Sequence, residues 1–188
     1  MKTVGIVAEY NPFHFGHEYH IKKTREQIGE ECAVVCAMSG DFVQRGEAAI
    51  YSKFARAEAA ARSGADLVVE LPVPWALSSA EGFARGAVAL IGAVGAEYLS
   101  FGSEAGDVAP LRALADILAA PETNDRIKER LASDATLSYA AARQLAVRDA
   151  AGDKAALLEQ PNNILAVEYL KAISALSLDT TPMTVARE

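Results

Sequence analysis

The three histidines of this 188-residue chain lie close together, at His14, His17 and His20. Gly16 stands between the first two, and a glycine lets the backbone approach a bound group closely. A helix that begins there has free N–H groups and a dipole that favour phosphate. His14 and His17 could donate imidazole N–H groups to phosphoryl oxygens and stabilise the charge that develops during nucleophilic attack on the α-phosphate. The segment predicts a site for phosphate chemistry.

The histidines are also compatible with two roles that involve no phosphate. They could be core or helix-capping residues whose hydrogen bonds are made within the protein, without a ligand. They could also bind a transition metal, because His17 and His20 can share one helix face, with Glu9 nearby. His14 lies before the predicted helix, so the three rings need not converge. We therefore expect no metal ion bound by the protein's own side chains.

Three further segments carry residues that suit ligand contact. Trp75, the only tryptophan, is as compatible with core packing as with a pocket wall. Gly102 ends a predicted strand, and a glycine there would let a base or ribose lie against the backbone. Asn162 and Asn163 lie at a predicted helix start, where N-capping explains one of them.

Gln44, Arg45, Lys53 and Arg56 are candidate contacts to a substrate or to a nucleic acid. The first two lie in a polar loop that suits substrate contact. The other two could form a basic stripe on one helix, although a solvated helix face explains such a stripe equally well. The net charge of −7 argues against a nucleic-acid platform over the whole surface.

Alternating strands and helices must position these residues. Apolar runs predict four buried strands, at 2–8, 33–38, 66–71 and 97–101. Helical periodicity predicts three intervening helices, at 16–28, 51–63 and 79–91. The alternation predicts an α/β fold with a parallel sheet covered on both faces. In such sheets ligands bind beyond the carboxyl ends of the strands, where the polar loops lie.

After residue 106 the pattern is helical and contains no convincing strand, although the last stretch, 179–188, is extended in character and resembles the start of another element. Four helices are predicted, at 108–119, 125–131, 136–150 and 162–174. We therefore divide the chain into an α/β nucleotide-binding core, 1–105, and a mostly helical segment, 106–188, that completes the site.

The remaining features indicate a cytoplasmic protein. Cys32 and Cys36 fit buried thiols in a reducing compartment. The N-terminus runs directly into a predicted strand and shows no signal peptide. No apolar run is long enough to span a membrane, so no membrane partner is expected.

Five sequence blocks together resemble a known family. The first contains His14-Phe15-Gly16-His17 after a strand, which resembles the nucleotidyltransferase superfamily with a His-x-Gly-His motif and a Rossmann-like fold. The five blocks lie at 5–17, 39–47, 64–72, 101–104 and 161–165. In this order they resemble the bacterial tRNA(Met) cytidine acetate ligase family, over nearly the whole chain.

The resemblance implies an ATP-dependent reaction in two steps. Acetate attacks the α-phosphate of ATP and gives acetyl-adenylate and pyrophosphate. The acetyl group then passes to N4 of the wobble cytidine in elongator tRNA(Met). Acetate is ionised at neutral pH, so the first step needs no general base. The site mainly has to position two anions and offset their repulsion, with Mg²⁺ on the phosphates.

The resemblance also implies which residues form the ATP site. His14 and His17 are the expected transition-state stabilisers, and Gly102, Asn162 and Arg187 are expected to contact the nucleotide. The ATP-binding loop after the first strand consists of Val7, Ala8, Glu9, Tyr10, Asn11, Pro12, Phe13, His14, Phe15, Gly16, His17, Glu18, Tyr19 and His20.

The chain departs from the family in its length. Members carry a second phosphate-binding motif, rich in Ser and Thr, downstream of the position of Arg187, so we expect a C-terminally truncated member. One alternative is a small-molecule adenylyltransferase of cofactor biosynthesis, which shares the histidine motif but is not expected to share blocks 44–47 and 161–163. Another is a nucleotide-binding fragment that is inactive through truncation.

Overall fold

A five-stranded parallel sheet forms the centre of the molecule. The computed structural model describes residues 1–29 and 31–187, and Glu30 and Glu188 lie outside the described residues. The strands are β1 (Thr3–Ala8), β2 (Ala33–Ser39), β3 (Leu67–Leu71), β4 (Tyr98–Ser103) and β5 (Thr181–Ala186). Their order across the sheet is β3-β2-β1-β4-β5, and every pair is parallel.

Helices connect the strands and cover the sheet. They are α1 (Phe15–Ile28), α2 (Lys53–Arg62), α3 (Val73–Ala76), α4 (Ala80–Ala93), α5 (Val108–Ala119), α6 (Pro121–Ser133), α7 (Tyr139–Ala151) and α8 (Pro161–Ala175), with a 3-10 helix at Gly152–Glu159 between the last two. None of the helices in the described part of the chain is long and apolar enough to cross a membrane.

The side chains of β2 show how the two faces of the sheet are filled. Successive residues of a strand point to opposite faces. Val34 and Cys36 pack in a core with Ile21 of α1 and Ala60 of α2. Val35, in contrast, packs in a larger core with residues of α4, α5 and α8. Both faces are therefore buried, which explains the continuous apolar runs of the strands.

The order of the strands reverses between β1 and β4. From β1 the chain moves outward through β2 to β3, and it then returns to place β4 on the other side of β1. Ile6 of β1 is thus flanked by Cys36 and by Ser100. A crevice opens beyond the carboxyl ends of the strands at such a reversal, and ligands of open α/β sheets bind there.

The segment after residue 106 is not helical to its end, because the stretch with extended character contains a strand. Thr181–Ala186 forms β5, which pairs with β4 at the edge of the sheet. Pro182 lies inside this strand, and an edge strand tolerates proline because one side of its backbone needs no partner. The division of the chain at residue 105 stays a prediction.

Candidate functional site

Helix α1 begins directly after His14, and two histidines shape its start. His14 Nδ1 accepts a hydrogen bond from the Gly16 backbone N–H at 3.1 Å, and His17 Nδ1 accepts one from the His14 N–H at 3.3 Å. The two rings stack with their centroids 3.7 Å apart. Because each Nδ1 is an acceptor, the neutral rings carry their proton on Nε2. Both histidines therefore present an Nε2–H donor.

Aromatic packing fixes the orientation of these rings. The buried Tyr10 ring lies edge-on to Phe13 at 4.9 Å and to His17 at 4.8 Å between centroids. A Cβ atom at Gly16 would lie 2.9 Å from Cε1 of His14, so only glycine leaves the ring in its place.

Burial keeps two of the histidines neutral. It lowers the pKa of His17 to about 4, and the nearby His14, His20 and Arg187 add to this effect. Burial, followed by the charge of Arg187, also lowers the pKa of His20 to about 4. His20 Nε2 lies 2.9 Å from the buried Ser100 Oγ. At neutral pH these two rings therefore add no positive charge to the cavity.

A second group of residues meets opposite α1. Arg187, just beyond β5, donates to Asn162 Oδ1 at 3.0 Å, and Asn162 Nδ2 donates to Glu104 Oε1 at 2.6 Å. A Cβ atom at Gly102 would lie 3.3 Å from the Arg187 side chain. The structure thus brings together Gly102, Asn162 and Arg187. Asn163 is fully buried and bonds to Ala105 N and Leu157 O, which is a structural role.

Both groups line one cavity of about 670 Å³. Most of the predicted site residues line it, namely Val7, Ala8, Glu9, Tyr10, Asn11, Pro12, His14, Gly16, His17, Tyr19, His20, Gln44, Arg45, Gly102, Asn162 and Arg187. Three residues of the predicted ATP-binding loop do not. Phe13 packs against Tyr10, and Phe15 and Glu18 are exposed on α1.

Several cavity residues were not predicted as site residues. They are apolar or aromatic residues of α4, β4, α8 and β5, namely Phe83, Phe101, Leu165, Tyr169 and Val185. Tyr169 is 5% exposed, and its ring centroid lies 5.9 Å from that of Phe101. In the sequence these residues resemble ordinary core positions, and only tertiary packing brings them to the cavity.

The expectation that Arg56 contacts a substrate or tRNA is wrong. Its side chain is 2% exposed. The guanidinium donates to the Glu9 carbonyl oxygen at 2.6 Å and to the Ser39 carbonyl oxygen at 3.0 Å, and also to the Gly40 carbonyl oxygen. Arg56 therefore ties the carboxyl ends of β1 and β2 together, because these carbonyl groups need a donor when buried.

The other candidates outside the histidine loop differ in their surroundings. Lys53 bonds to Glu70 at 2.8 Å and lies 3.6 Å from the Asp41 carboxylate, so its charge is already paired. Arg45 is exposed at the cavity rim. Trp75 packs against Gly86 of α4 and does not line the cavity. Within residues 1–29 and 31–187, no three His, Cys, Asp or Glu side chains are grouped to hold a metal ion.

Comparison with known proteins places this geometry in a family. The chain matches the family HIGH Nucleotidyl Transferase along residues 1–188. The tRNA(Met) cytidine acetate ligase of Syntrophotalea carbinolica is 47% identical in an alignment 191 residues long, which covers 100% of this chain and 45% of the relative. The protein of the same name in Bacillus subtilis is 45% identical in an alignment 190 residues long, which also covers 100% of this chain and 45% of the relative.

A solved structure supports the same family assignment. The crystal structure of Thermotoga maritima TmcAL bound with alpha-thio ATP matches with a TM-score of 0.92 and 39% identity, over 100% of this chain and 47% of that one. The chain spans less than half the length of the curated relatives it matches. The α/β fold with a parallel sheet is confirmed, and the chain belongs to the HIGH nucleotidyl transferase family.

Proposed function

We propose that this chain carries the ATP-activating site of a tRNA(Met) cytidine acetate ligase. In this reaction acetate and ATP give acetyl-adenylate and pyrophosphate, and the acetyl group then passes to N4 of the wobble cytidine of elongator tRNA(Met). One observation carries the proposal. His14 and His17 present Nε2–H donors into a cavity at the strand-order reversal, opposite the Gly102, Asn162 and Arg187 group.

The two sides of the cavity suit the two ends of ATP. The start of α1 offers backbone N–H groups and two neutral imidazole donors, which favour the phosphates. Gly102 permits close approach of a base or ribose, and Asn162 and Arg187 are held beside it by a hydrogen bond. A cavity of about 670 Å³ is within the usual range for a cofactor-sized ligand.

The geometry suits attack by a carboxylate on the α-phosphate. A new bond forms between an acetate oxygen and the α-phosphorus, and the bond from this phosphorus to the bridging oxygen breaks as pyrophosphate leaves. Negative charge develops on oxygens that His14 and His17 can reach with fixed donors. Mg²⁺ would arrive with the triphosphate and neutralise part of its charge. The described residues group no set of acidic side chains for it, so the phosphates are its expected ligands.

Two statements about the whole protein belong to this proposal. The cytoplasm, where tRNA is modified, is the proposed location, and acetate and tRNA are the proposed partners besides ATP. The tRNA surface is expected to lie partly in the portion of the relatives that this chain does not span.

A small-molecule adenylyltransferase is the second candidate, because its chemistry at the α-phosphate needs the same donors. The names of the curated relatives favour the ligase. Dependence on acetate separates the two functions. A fragment that binds ATP without turnover is the third outcome.

The test is isotope exchange between ATP and pyrophosphate, with and without acetate. It is run on this chain and on a version extended to the length of the relatives, with His17→Ala as the control for the site. Exchange that requires acetate and is lost in His17→Ala supports the ligase. Exchange without acetate dependence in the extended protein refutes it and favours the small-molecule enzyme.

A further inference from the structure

A corner of the cavity beside the ATP groups is lined by Glu9 and Tyr169. Val7 of β1 packs in the core with α4 and α8, and Glu9, which follows the strand, lines the same cavity. Tyr169 of α8 also lines this cavity, and it lies near enough to Glu9 for the carboxylate charge to add to burial in raising the pKa of Tyr169. Phe83 and Phe101 supply buried apolar walls. The corner is thus apolar on its sides, with two oxygen-bearing side chains.

The Glu9 carboxylate is held in one orientation. Its Oε1 accepts a hydrogen bond from the Gln44 backbone N–H at 2.7 Å. Its own carbonyl oxygen is bonded to Arg56 at 2.6 Å, which fixes the backbone. The second carboxylate oxygen has no hydrogen-bond partner among the residues that the structure describes. A fixed acceptor therefore faces the cavity.

The Tyr169 hydroxyl is the matching donor. The residue as a whole is 5% exposed, but among the described residues the buried side-chain atom left without a hydrogen-bond partner is Ser39 Oγ, so the Tyr169 hydroxyl opens to the cavity that this residue lines. Burial, and then the negative charge of Glu9, raise the pKa of Tyr169 above its ordinary value, so the phenol keeps its proton. A protonated hydroxyl that opens to a cavity can donate a hydrogen bond to a ligand there.

The chemistry of this pair selects a class of ligand. An acceptor beside a donor complements the amine and adjacent ring nitrogen of cytosine, and a carboxylate is a known acceptor for cytosine N4. Uracil presents the opposite pattern, an oxygen acceptor beside an N–H donor. Acetate would be repelled by the Glu9 charge. Aromatic and apolar walls suit the faces of a base that has left its stack.

We propose that Glu9 and Tyr169 form the cytosine subsite for the transfer step, and that Glu9 accepts the proton lost by N4. This inference rests on the proposed function. The backbone of Glu9 can belong to the ATP site while its carboxylate serves the second substrate.

Transfer of the acetyl group forms one carbon–nitrogen bond and breaks one carbon–oxygen bond. Cytosine N4 forms a bond to the acetyl carbon of acetyl-adenylate, and the bond from that carbon to the phosphate oxygen breaks. AMP leaves with the electron pair, and one N4 proton passes to the Glu9 carboxylate. Tyr169 donates to the ring nitrogen beside N4 and holds the base in position.

The experiment supplies chemically made acetyl-adenylate, so that transfer is measured without activation. The extended protein is mixed with acetyl-adenylate and tRNA(Met), and N4-acetylcytidine is quantified. Acetate-dependent ATP–pyrophosphate exchange is measured on the same samples. Glu9→Gln keeps an oxygen that accepts from the Gln44 N–H but removes the carboxylate that would accept the N4 proton. Glu47→Gln is the matched control, because it removes an equal charge from the exposed rim of the cavity.

We expect Glu9→Gln to lower transfer about 10²–10⁴-fold, the usual contribution of a general base, and to lower exchange far less. Tyr169→Phe should lower transfer about tenfold, as expected for one hydrogen bond. Glu47→Gln should leave the ratio of transfer to exchange as in the wild type. If Glu9→Gln keeps the wild-type ratio of transfer to exchange, the proposed subsite is wrong. It is also wrong if the wild-type protein catalyses acetate-dependent exchange but cannot transfer the acetyl group to tRNA. Failure of acetate-dependent exchange counts instead against the proposed function.

Discussion

His14 and His17 differ from the lysine and arginine side chains that usually contact phosphate. Their Nδ1 atoms are used within the start of α1, so each ring is held in one tautomer and one direction. Neutral donors attract the ground-state phosphates less than cations would. In the proposed reaction, donors aimed at oxygens where charge develops would favour the transition state over the bound substrate.

The low pKa values of His17 and His20 predict a loss of stability below neutral pH. Both are about 4 in the folded protein, against an ordinary value of 6.5. Between these values the unfolded chain binds more protons, so the free energy of unfolding rises with pH. The stabilisation is fully present above pH 6.5 and is lost as the pH falls towards 4. Urea unfolding at about pH 7, 6 and 5 measures it.

The control for this pH dependence is His20→Asn. Its amide can still bond to Ser100 Oγ, which His20 Nε2 contacts at 2.9 Å, but it does not titrate. The variant should lose less stability than the wild type between about pH 7 and 5. An equal loss would show that other groups, such as carboxylates, cause the pH dependence.

Individual residues were predictable only where the signal is local. The histidine cluster lies within one short segment, and its phosphate chemistry follows from residue type and a helix start. Arg56 misled the prediction, because a charged residue in an alanine-rich helix resembles a solvated face. Its burial depends on carbonyl oxygens of two distant loops. Tyr169 was missed because an aromatic residue in a helix usually belongs to the core.

At the scale of elements, the start of α1 depends on the absence of a side chain at Gly16. In Gly16→Ala the gain in helix propensity, at most about 1 kcal/mol, is offset by loss of the His14 cap, which is worth a similar amount, so the thermal midpoint should change little. The alanine Cβ would lie 2.9 Å from the His14 ring, so the ring must move. We expect ATP affinity to fall at least tenfold, about 1.4 kcal/mol, by calorimetric titration.

His14→Ala is the comparison for this prediction. It removes the ring and the cap of α1, so it should lower both ATP affinity and stability, the latter by about 1 kcal/mol. Unchanged ATP affinity in Gly16→Ala would show that the position of the His14 ring is unimportant for the nucleotide.

The elements themselves were largely predictable, with one informative failure. Strands β1 to β3 are rich in Val, Ile and Leu, and β4 carries the buried Leu99 and Phe101, so each of these four strands has a local apolar signal. Strand β5 reads Thr-Pro-Met-Thr-Val-Ala and is buried only at Val185. Its strand character comes from pairing with β4, which is about eighty residues away in the chain, and no local pattern contains that information.

At the scale of the whole molecule, β5 links the edge of the sheet to the proposed ATP site. Removing residues 180–188 leaves β4 as the edge strand and deletes Arg187. The exposed edge should promote aggregation, and loss of the buried Val185 should lower the thermal midpoint. We expect ATP binding to be lost as well. Thermal unfolding, light scattering and calorimetric titration with ATP check the three effects.

Arg187→Ala in the intact chain separates the two roles of this segment. Arg187 is exposed, so its loss should leave the thermal midpoint within the range of ordinary surface substitutions. ATP affinity should still fall, because the contact with Asn162 is lost. If the shortened chain binds ATP as well as the intact one, β5 and Arg187 have no part in the site.

The buried guanidinium of Arg56 has a consequence for how a ligand is received. It holds the carbonyl groups at the ends of β1 and β2 in the folded protein. The backbone at these strand ends therefore loses its conformational entropy during folding, and little more is lost when a ligand binds. The backbone beside the cavity is fixed before a ligand binds, and the exposed side chains at the rim are the groups that can still adapt to it.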